Sequence, residues 1–504
     1  MDDRKSRFVL YGAAFSVGAA TMGAELGAAR LVAPFFGTSS MVWALVIGAT
    51  LLSLSVGQLI GGWLSGRGVG WRGVAWMLTS SAVVLAALPL LGRPLMAGTL
   101  EYFYSEAYGT LLASALSVTF LTGLPLLAMG AVGPIFLQLA ITDAKRAGQI
   151  GSYLYAWGTI GSLLGTYLSG LLMIPLLGTA RTLWFFAALL LVTAAFFAFP
   201  RRPLLVTLVG VVAFLGAGMT TAPPIKDLPG QIFEAETAHN YVAILDRRGQ
   251  REMVFNDGFA VQSIYREDDL ILEGVWGYYA MAPAWTTTGR PEDVLLLGLG
   301  GGTSARQYRA MYPEARVVGV ELDPGVVEAG RRFMGLPEDI EVVIEDGRTY
   351  LTVTNEHYDL ILVDAFQFPY VPFQVTTKEF FALLQSRVKP GGAVLLNVGR
   401  DGERHDVVHA LVRTAREVFP HVAAVDVPRT YNTILYAGEH PLSEAVGLNS
   451  LGLLPEHRML LGRLSTPGPW DVPPSTSVLT DDRAPVEWLT DLIVLRLFWE
   501  GLFR

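Results

Sequence analysis

The sequence predicts a multi-span α-helical membrane domain followed by a doubly wound α/β domain. Three observations lead there. Residues 8–222 hold long apolar runs and very few charges, whereas 225–504 read as an ordinary soluble domain. Charged residues make up 16% of the chain, against ~25% in a typical soluble protein. Finally, Val294–Arg306, VLLLGLGGGTSAR, reads as a short buried strand, a glycine turn and a helix start.

A membrane span needs ~20 apolar residues. Seven stretches qualify: 8–32, 41–64, 73–92, 111–139, 151–176, 181–200 and 203–220. The MDDRKSR start lacks a short h-region with a small-residue cleavage site, so the first run reads as a retained helix. With the N-terminus inside, nine Lys/Arg (Arg4, Lys5, Arg7, Arg67, Arg72, Lys145, Arg146, Arg201, Arg202) fall on one side and two (Arg93, Arg181) on the other, in keeping with the positive-inside rule. Seven spans then place the soluble domain outside, whereas its substrate chemistry, set out below, argues for the cytoplasm. The run 111–139 holds Pro125 and Pro134 and could be kinked or partly re-entrant. Glu25, inside the first span with Arg30 five residues on, is a candidate membrane polar site or an interhelix contact. Glycines recur through Gly57–Gly70 and at Gly158, Gly161, Gly165 and Gly170, a spacing that lets helices pack closely. Gln58, Tyr153, Tyr155 and Trp157 are weaker cavity candidates.

Thr220–Gly230, with three prolines, is a linker. The expected domains are a membrane domain (1–222), the linker (223–230), a β-hairpin region (231–265), a Rossmann-type domain (266–440) and a C-terminal extension (441–504). Gln231–Leu245 and Arg251–Phe255 predict two strands around a turn at Gly249. Residues 266–283 predict a helix with Glu267, Asp268 and Asp269 in its first turn. Strands are expected at Val294–Leu297, Val317–Val320, Ile340–Ile344, Tyr358–Val363 and Ala393–Val398. Helices at Pro324–Met334 and Phe380–Val388 and a turn at Lys389–Gly392 fall between them, at the βαβ period. Asp401–Phe419 predicts a helix, and Val422–Val427 with Thr433–Tyr436 predict closing antiparallel strands. The apolar end 491–504 suits either a membrane surface or a core.

In such sheets ligands bind beyond the carboxyl ends of the strands. Glu321, Asp346 and Asp364 all fall there. A carboxylate after the second strand can accept hydrogen bonds from ribose hydroxyls, and one after the third from an adenine amine. Taken singly, each could be a solvated cap; the ordered set after Gly298, Gly300, Gly301 and Gly302 points to a nucleoside pocket. The absence of cysteine excludes disulfides and thiolate chemistry, and the seven histidines show no metal spacing. A net charge of −8 argues against nucleic acid as a partner.

The segment 231–400 resembles the spermidine synthase-like aminopropyltransferases, which use the class I methyltransferase fold. Phe255-Asn256-Asp257-Gly258 with Gln262 resembles their Leu-Asp-Gly…Gln motif, and Gly300-Gly301-Gly302 their glycine turn. Glu321-Leu322-Asp323, Asp346-Gly347, Asp364 and Lys389-Pro390-Gly391-Gly392 follow in the family's order. Gly158–Gly161, Ile174–Gly178 and Thr480–Glu487 resemble segments of its membrane-fused branch. The resemblance implies a (decarboxylated) S-adenosylmethionine donor held by Gln262, Gly298, Gly300, Gly301, Gly302, Thr303, Glu321, Asp346 and Gly347. It implies Asp364 as general base and 5′-methylthioadenosine as leaving group, with no metal. Tyr241, Phe366, Gln367 and Tyr370 fall where the substrate pocket is expected, and His239 lies beside them in the hairpin.

The sequence also departs from the family. Thr303 replaces an acid that holds the aminopropyl ammonium, Gln367 replaces the second acid of Asp-Ser-Ser-Asp, and Glu273 alone is left of Tyr-His/Gln-Glu, with Ile271 at the tyrosine position. A diamine needs anionic or π partners at both ends, so putrescine is a poor acceptor on this reading. Thr303 also removes a repulsion against the carboxylate of full S-adenosylmethionine. The expected function is therefore a membrane-bound aminopropyltransferase-like enzyme. The alternatives are S-adenosylmethionine cyclisation, lyase release or aminocarboxypropyl transfer without putrescine, a methyltransferase, and a transporter with a metabolite-sensing domain. The expected partners are the sulfonium donor, an amine acceptor, the lipid bilayer and a second copy of the chain. The expected location is the plasma or inner membrane.

Overall fold

The computed structural model describes residues 3–36, 40–103, 109–141, 144–198, 225–237, 239–256, 260–364, 372–400 and 404–486. The chain divides into two compact units, Met1–Asp227 and Leu228–Arg504.

The first unit is helical: α1 (Asp3–Phe36), α2 (Ser40–Gly66), α3 (Trp71–Phe103), α4 (Gly109–Ala140), α5 (Ala147–Tyr167) and α6 (Thr179–Ala198). A π-helical turn, Leu168–Met173, prolongs α5 to Leu177. Among the described residues these supply six stretches long and apolar enough to cross a membrane. The seventh expected run, 203–220, lies outside the described residues. Helices suit this composition because each satisfies its own backbone polar groups without water.

The glycine spacing has a direct structural cause. A Cβ on Gly161 would sit 2.0 Å from the Phe15 carbonyl oxygen, and one on Gly165 2.4 Å from that of Ala19. These contacts rise together along both chains, so α1 and α5 run parallel with backbones touching. Gly57 and Gly61 of α2 meet Leu127 and Ala131 of α4 in the same way, at 2.2 and 2.1 Å. Pro125 does not break α4, and the Ser81 hydroxyl donates to its carbonyl at 3.0 Å. Glu25 is half-buried within α1, one turn beyond Thr21, whose hydroxyl contacts Met129 of α4.

The second unit begins with a four-stranded antiparallel meander: β1 (Gln231–Glu236), β2 (Tyr241–Arg247), β3 (Gln250–Phe255) and β4 (Val261–Arg266). The expected single strand Gln231–Leu245 is thus two strands. Thr237 breaks it: its hydroxyl bonds the Asn240 carbonyl and accepts from the Asn240 amide, both at 2.8 Å, closing a turn. The expected helix over 266–283 is also corrected, to α7 (Gly274–Met281). Its first half is captured by α8 (Thr303–Met311): Arg306 bonds the carbonyls of Glu267 and Asp269, and Gln307 that of Ile271. Those carbonyls are then not free for helical bonding.

The main sheet has seven strands, in the order β10-β11-β9-β8-β5-β6-β7. These are β5 (Asp293–Leu297), β6 (Arg316–Glu321), β7 (Glu341–Ile344), β8 (Tyr358–Val363), β9 (Val388–Gly399), β10 (His421–Asp426) and β11 (Asn432–Gly438). Strands β5 to β9 pair in parallel, and β10 and β11 close the edge antiparallel, as the pattern predicts. The remaining helices are α9 (Pro324–Phe333), α10 (Gly347–Val353), α11 (Lys378–Arg387), α12 (Asp406–Ala415) and α13 (Pro455–Leu461). The expected helix over 401–419 is shorter as α12, and the expected Lys389–Gly392 turn is absorbed into β9, with Gly391 at φ +82°. The apolar end 491–504 lies outside the described residues.

Replacing Gly161 by leucine should prevent the α1/α5 approach. We expect a destabilisation of about 1–3 kcal/mol or more, read as a lower thermal midpoint of the full chain in detergent. Gly62→Leu, which faces open space, should leave the midpoint unchanged.

Candidate active site

Gly298, Gly300 and Gly302 turn the chain from β5 into α8 with φ of +86°, +53° and +89°, a region glycine enters without strain. Gly301 is needed for another reason: a Cβ there would lie 2.9 Å from that of Ser263. Every amide of the turn is bonded within the protein. Leu299 and Gly300 donate to Glu321 Oε2 at 3.2 and 2.9 Å, Gly301 to the Ser263 hydroxyl at 2.7 Å, and Gly302 to the Leu299 carbonyl at 3.0 Å. A phosphate-cradling loop keeps such amides for its ligand. This one does not, which suits a nucleoside without a phosphate.

Glu321 ends β6, and its second oxygen, Oε1, accepts from the Asp323 amide at 3.1 Å. Burial raises its pKa, and the backbone donors offset this only in part. Asp323 is fully buried. It accepts from the Gly325 amide at 3.0 Å as the α9 N-cap, from Asn240 Nδ2 at 3.0 Å, and from the Thr237 hydroxyl. One carboxylate therefore pins the meander's turn to the large sheet. Asp346 caps α10: its Oδ1 accepts from the Arg348 and Thr349 amides at 3.1 and 2.9 Å, leaving Oδ2 for a ligand.

Asp364 follows β8. Its amide donates to the Leu297 carbonyl at 2.7 Å, and its Oδ1 accepts from Asn397 Nδ2 at 2.9 Å. Burial pushes its pKa up to about 6, against the pull of the Asn397 hydrogen bond. That value suits a general base near neutral pH.

One cavity unites most of these groups. Gln262, Gly298, Gly300 and Thr303 line it, as do Glu321, Asp346, Gly347 and Asp364. Gly301 and Gly302 stand behind the wall, packed on Ser263, Met334 and Leu336. Thr303 lines the cavity, but its hydroxyl is engaged: it accepts from the Ile264 amide and donates to the Ile264 carbonyl, both at 2.9 Å. Tyr241 is not among the described residues that line this cavity. Its hydroxyl donates to Glu234 on the neighbouring strand at 2.8 Å, and the turn before it presents His239 and Asn240 instead. Phe366, Gln367 and Tyr370 lie outside the described residues, as do Asp257 and Gly258.

Asn397, Ser263 and Trp276 escaped the sequence reading. Asn397 and Ser263 follow ordinary strand alternation, and only strand pairing brings them to the site. Trp276 lines the cavity because α7 starts late. Among the described lining residues the charges are Glu321, Glu345, Asp346 and Asp364; His239 is the one basic side chain, and no Lys or Arg is present. No group of three or more His, Asp or Glu able to hold a metal occurs among the described residues.

A doubly wound sheet with a carboxylate-lined cavity at its carboxyl edge defines an α/β domain of the Rossmann type. Residues 280–437 match the Spermine/spermidine synthase domain. A probable polyamine aminopropyl transferase of Bifidobacterium longum is 31% identical over 286 residues, 51% of this chain and 61% of that protein. Polyamine aminopropyltransferase 2 of Pseudomonas aeruginosa is 31% identical over 201 residues, 38% of this chain and 56% of that protein. The chain thus spans somewhat over half the length of these relatives. A probable spermidine synthase structure from Corynebacterium glutamicum is 20% identical with a TM-score of 0.37, covering 43% of this chain and 81% of that one.

Proposed function

We propose that the chain is a membrane-bound aminopropyltransferase. On this reading it takes decarboxylated S-adenosylmethionine as donor and an amine as acceptor, and releases 5′-methylthioadenosine. The carrying observation is the charge of the cavity: four carboxylates and no Lys or Arg among its described residues. The decarboxylated donor brings a sulfonium and an ammonium, both cations. The full donor adds a carboxylate, which needs a cationic or multiple N–H partner. Thr303 removes a repulsion against that carboxylate, but its engaged hydroxyl adds no attraction.

In the proposed reaction the acceptor nitrogen attacks the methylene carbon beside the sulfonium. The carbon–sulfur bond breaks, its electron pair stays on sulfur, and methylthioadenosine leaves. The sulfonium charge vanishes in this step, so little charge stabilisation is needed. The enzyme's work is positioning and proton removal. Asp364 takes the amine proton, and the Asn397 amide fixes the orientation of its carboxylate. Glu321 Oε1 accepts from the ribose hydroxyls, Asp346 Oδ2 from the adenine amine, and Gln262 with Gly347 frames the nucleoside. Phe366, Gln367 and Tyr370 are proposed, from the family resemblance, as the acceptor side.

For location, the Lys/Arg bias supports a cytoplasmic N-terminus, the six spans among the described residues end on that side, and a cytoplasmic catalytic domain then requires that the run 203–220, outside the described residues, does not cross. Ser450→Cys in this cysteine-free protein tests the reading: an impermeant maleimide should label it only after the membrane is opened, and labelling of intact cells would overturn it.

Purified full-length protein should form methylthioadenosine, identified by mass, from the decarboxylated donor plus an amine. Product from full S-adenosylmethionine alone would establish the cyclase or lyase alternative instead, and S-adenosylhomocysteine would establish a methyltransferase. Turnover should fall as pH drops through about 6, where Asp364 gains its proton. Asn397→Ala removes a bond to the charged form, so this acid limb should move to higher pH by about one unit. An unmoved limb would exclude Asp364 as the titrating base.

A further inference from the structure

The cavity has a brace outside the nucleoside-binding set. Arg348 lies in the first turn of α10, directly after Asp346 and Gly347. Its Nη1 donates to the Gln374 carbonyl at 2.9 Å, and its guanidinium meets Asp481 in a bidentate pair, at 2.8 Å to Oδ1 and 2.5 Å to Oδ2. Asp481 Oδ1 also accepts from the Thr377 hydroxyl at 2.7 Å, and Thr377 is the N-cap of α11. The Asp481 segment is itself anchored: the Leu479 carbonyl accepts from the Lys378 amide at 2.9 Å, and the Leu479 amide donates to the Thr414 hydroxyl at 2.9 Å. Asp346, Gly347, Gln374 and Val375 all line the cavity. One ion pair therefore joins two walls that are far apart in sequence, through a residue of the C-terminal extension.

An exposed ion pair contributes little stability, and Asp481 is 45% exposed. Its geometry says more. A planar bidentate pair fixes orientation as well as distance, and here the same guanidinium also holds a wall carbonyl. Asp481 further neutralises Arg348, a cation beside a cavity lined by carboxylates. We propose that Arg348 and Asp481 are positioning residues that hold the Gln374–Thr377 wall against the Asp346 cap and so set how the acceptor amine reaches Asp364. The proposal rests on the transferase reading above for the identity of the acceptor, but not for the brace.

Full-length protein in detergent is compared with Asp481→Asn, Arg348→Lys and, as control, Asp482→Asn. In Asp481→Asn, amide hydrogen exchange across residues 374–381 should quicken by about tenfold or more, with residues 293–321 unchanged. The KM for the amine should rise by about fivefold or more, while the Kd for methylthioadenosine stays within about twofold. Arg348→Lys keeps the charge but loses the fork and should fall between Asp481→Asn and wild type; Asp482→Asn should match wild type. Unchanged exchange at 374–381 would overturn the proposal. So would a parallel loss of methylthioadenosine affinity, which would mark a merely structural role. If wild type turns over no sulfonium donor, the transferase reading fails, and the exchange measurement alone decides the brace.

Discussion

The site depends on one carboxylate that a ligand shares only in part. Glu321 Oε2 holds two amides of the glycine turn and Oε1 holds the start of the next loop. Without it, Leu299 and Gly300 would lose the partners of their amides, and the turn would lose its shape. Because the turn's amides are satisfied internally, the loop offers close approach without an anion site. The same glycine pattern serves phosphate binding in other doubly wound sheets; here the bonding partners, Glu321 and Ser263, point it to a different ligand class.

Electrostatics then set the chemistry. Asp364 sits where burial favours the neutral carboxyl, and Asn397 favours the charged one. With its pKa at about 6 rather than 3.8, the folded state is most stable with this carboxyl protonated, and loses that contribution as pH rises from about 4 through 6. In the proposed role of base, Asp364 works in the pH range where it costs the fold some stability. A cationic ligand offsets that cost, which links substrate binding to the ionisation that the proposed reaction needs. Asp323 plays the opposite part: fully paired with Thr237, Asn240 and the Gly325 amide, it holds the meander's turn over the cavity, and that turn brings His239 and Asn240 to the wall.

The helical unit follows a different physical rule. Long apolar helices of this kind pack closely where small residues let their backbones approach. Glycines at 57, 61, 161 and 165 let backbones touch in the α1/α5 and α2/α4 pairs. Both pairs run parallel, which adjacent spans joined by short loops cannot do, so these contacts join spans that are not neighbours in sequence.

Much of this was legible in the sequence because it is local. Charge depletion marks the helical unit, and the six apolar runs that fall among the described residues are helices long enough to cross a membrane. The βαβ alternation yields the parallel strands, and the glycine turn with Glu321, Asp346 and Asp364 yields a shared cavity. Local pattern failed where a partner distant in sequence overrode it. Thr237 split an apparently continuous strand, and side chains of α8 unwound the start of an expected helix. Sequence by itself determined which elements form and which carboxylates end the strands, since periodicity and turn chemistry act over a few residues. Only the tertiary structure decided that Thr303 is tied to β4, that Asn397 tunes Asp364, and that Asp481 braces Arg348. Each of those depends on a hydrogen bond between residues at least 33 positions apart, and no local pattern encodes such a partner.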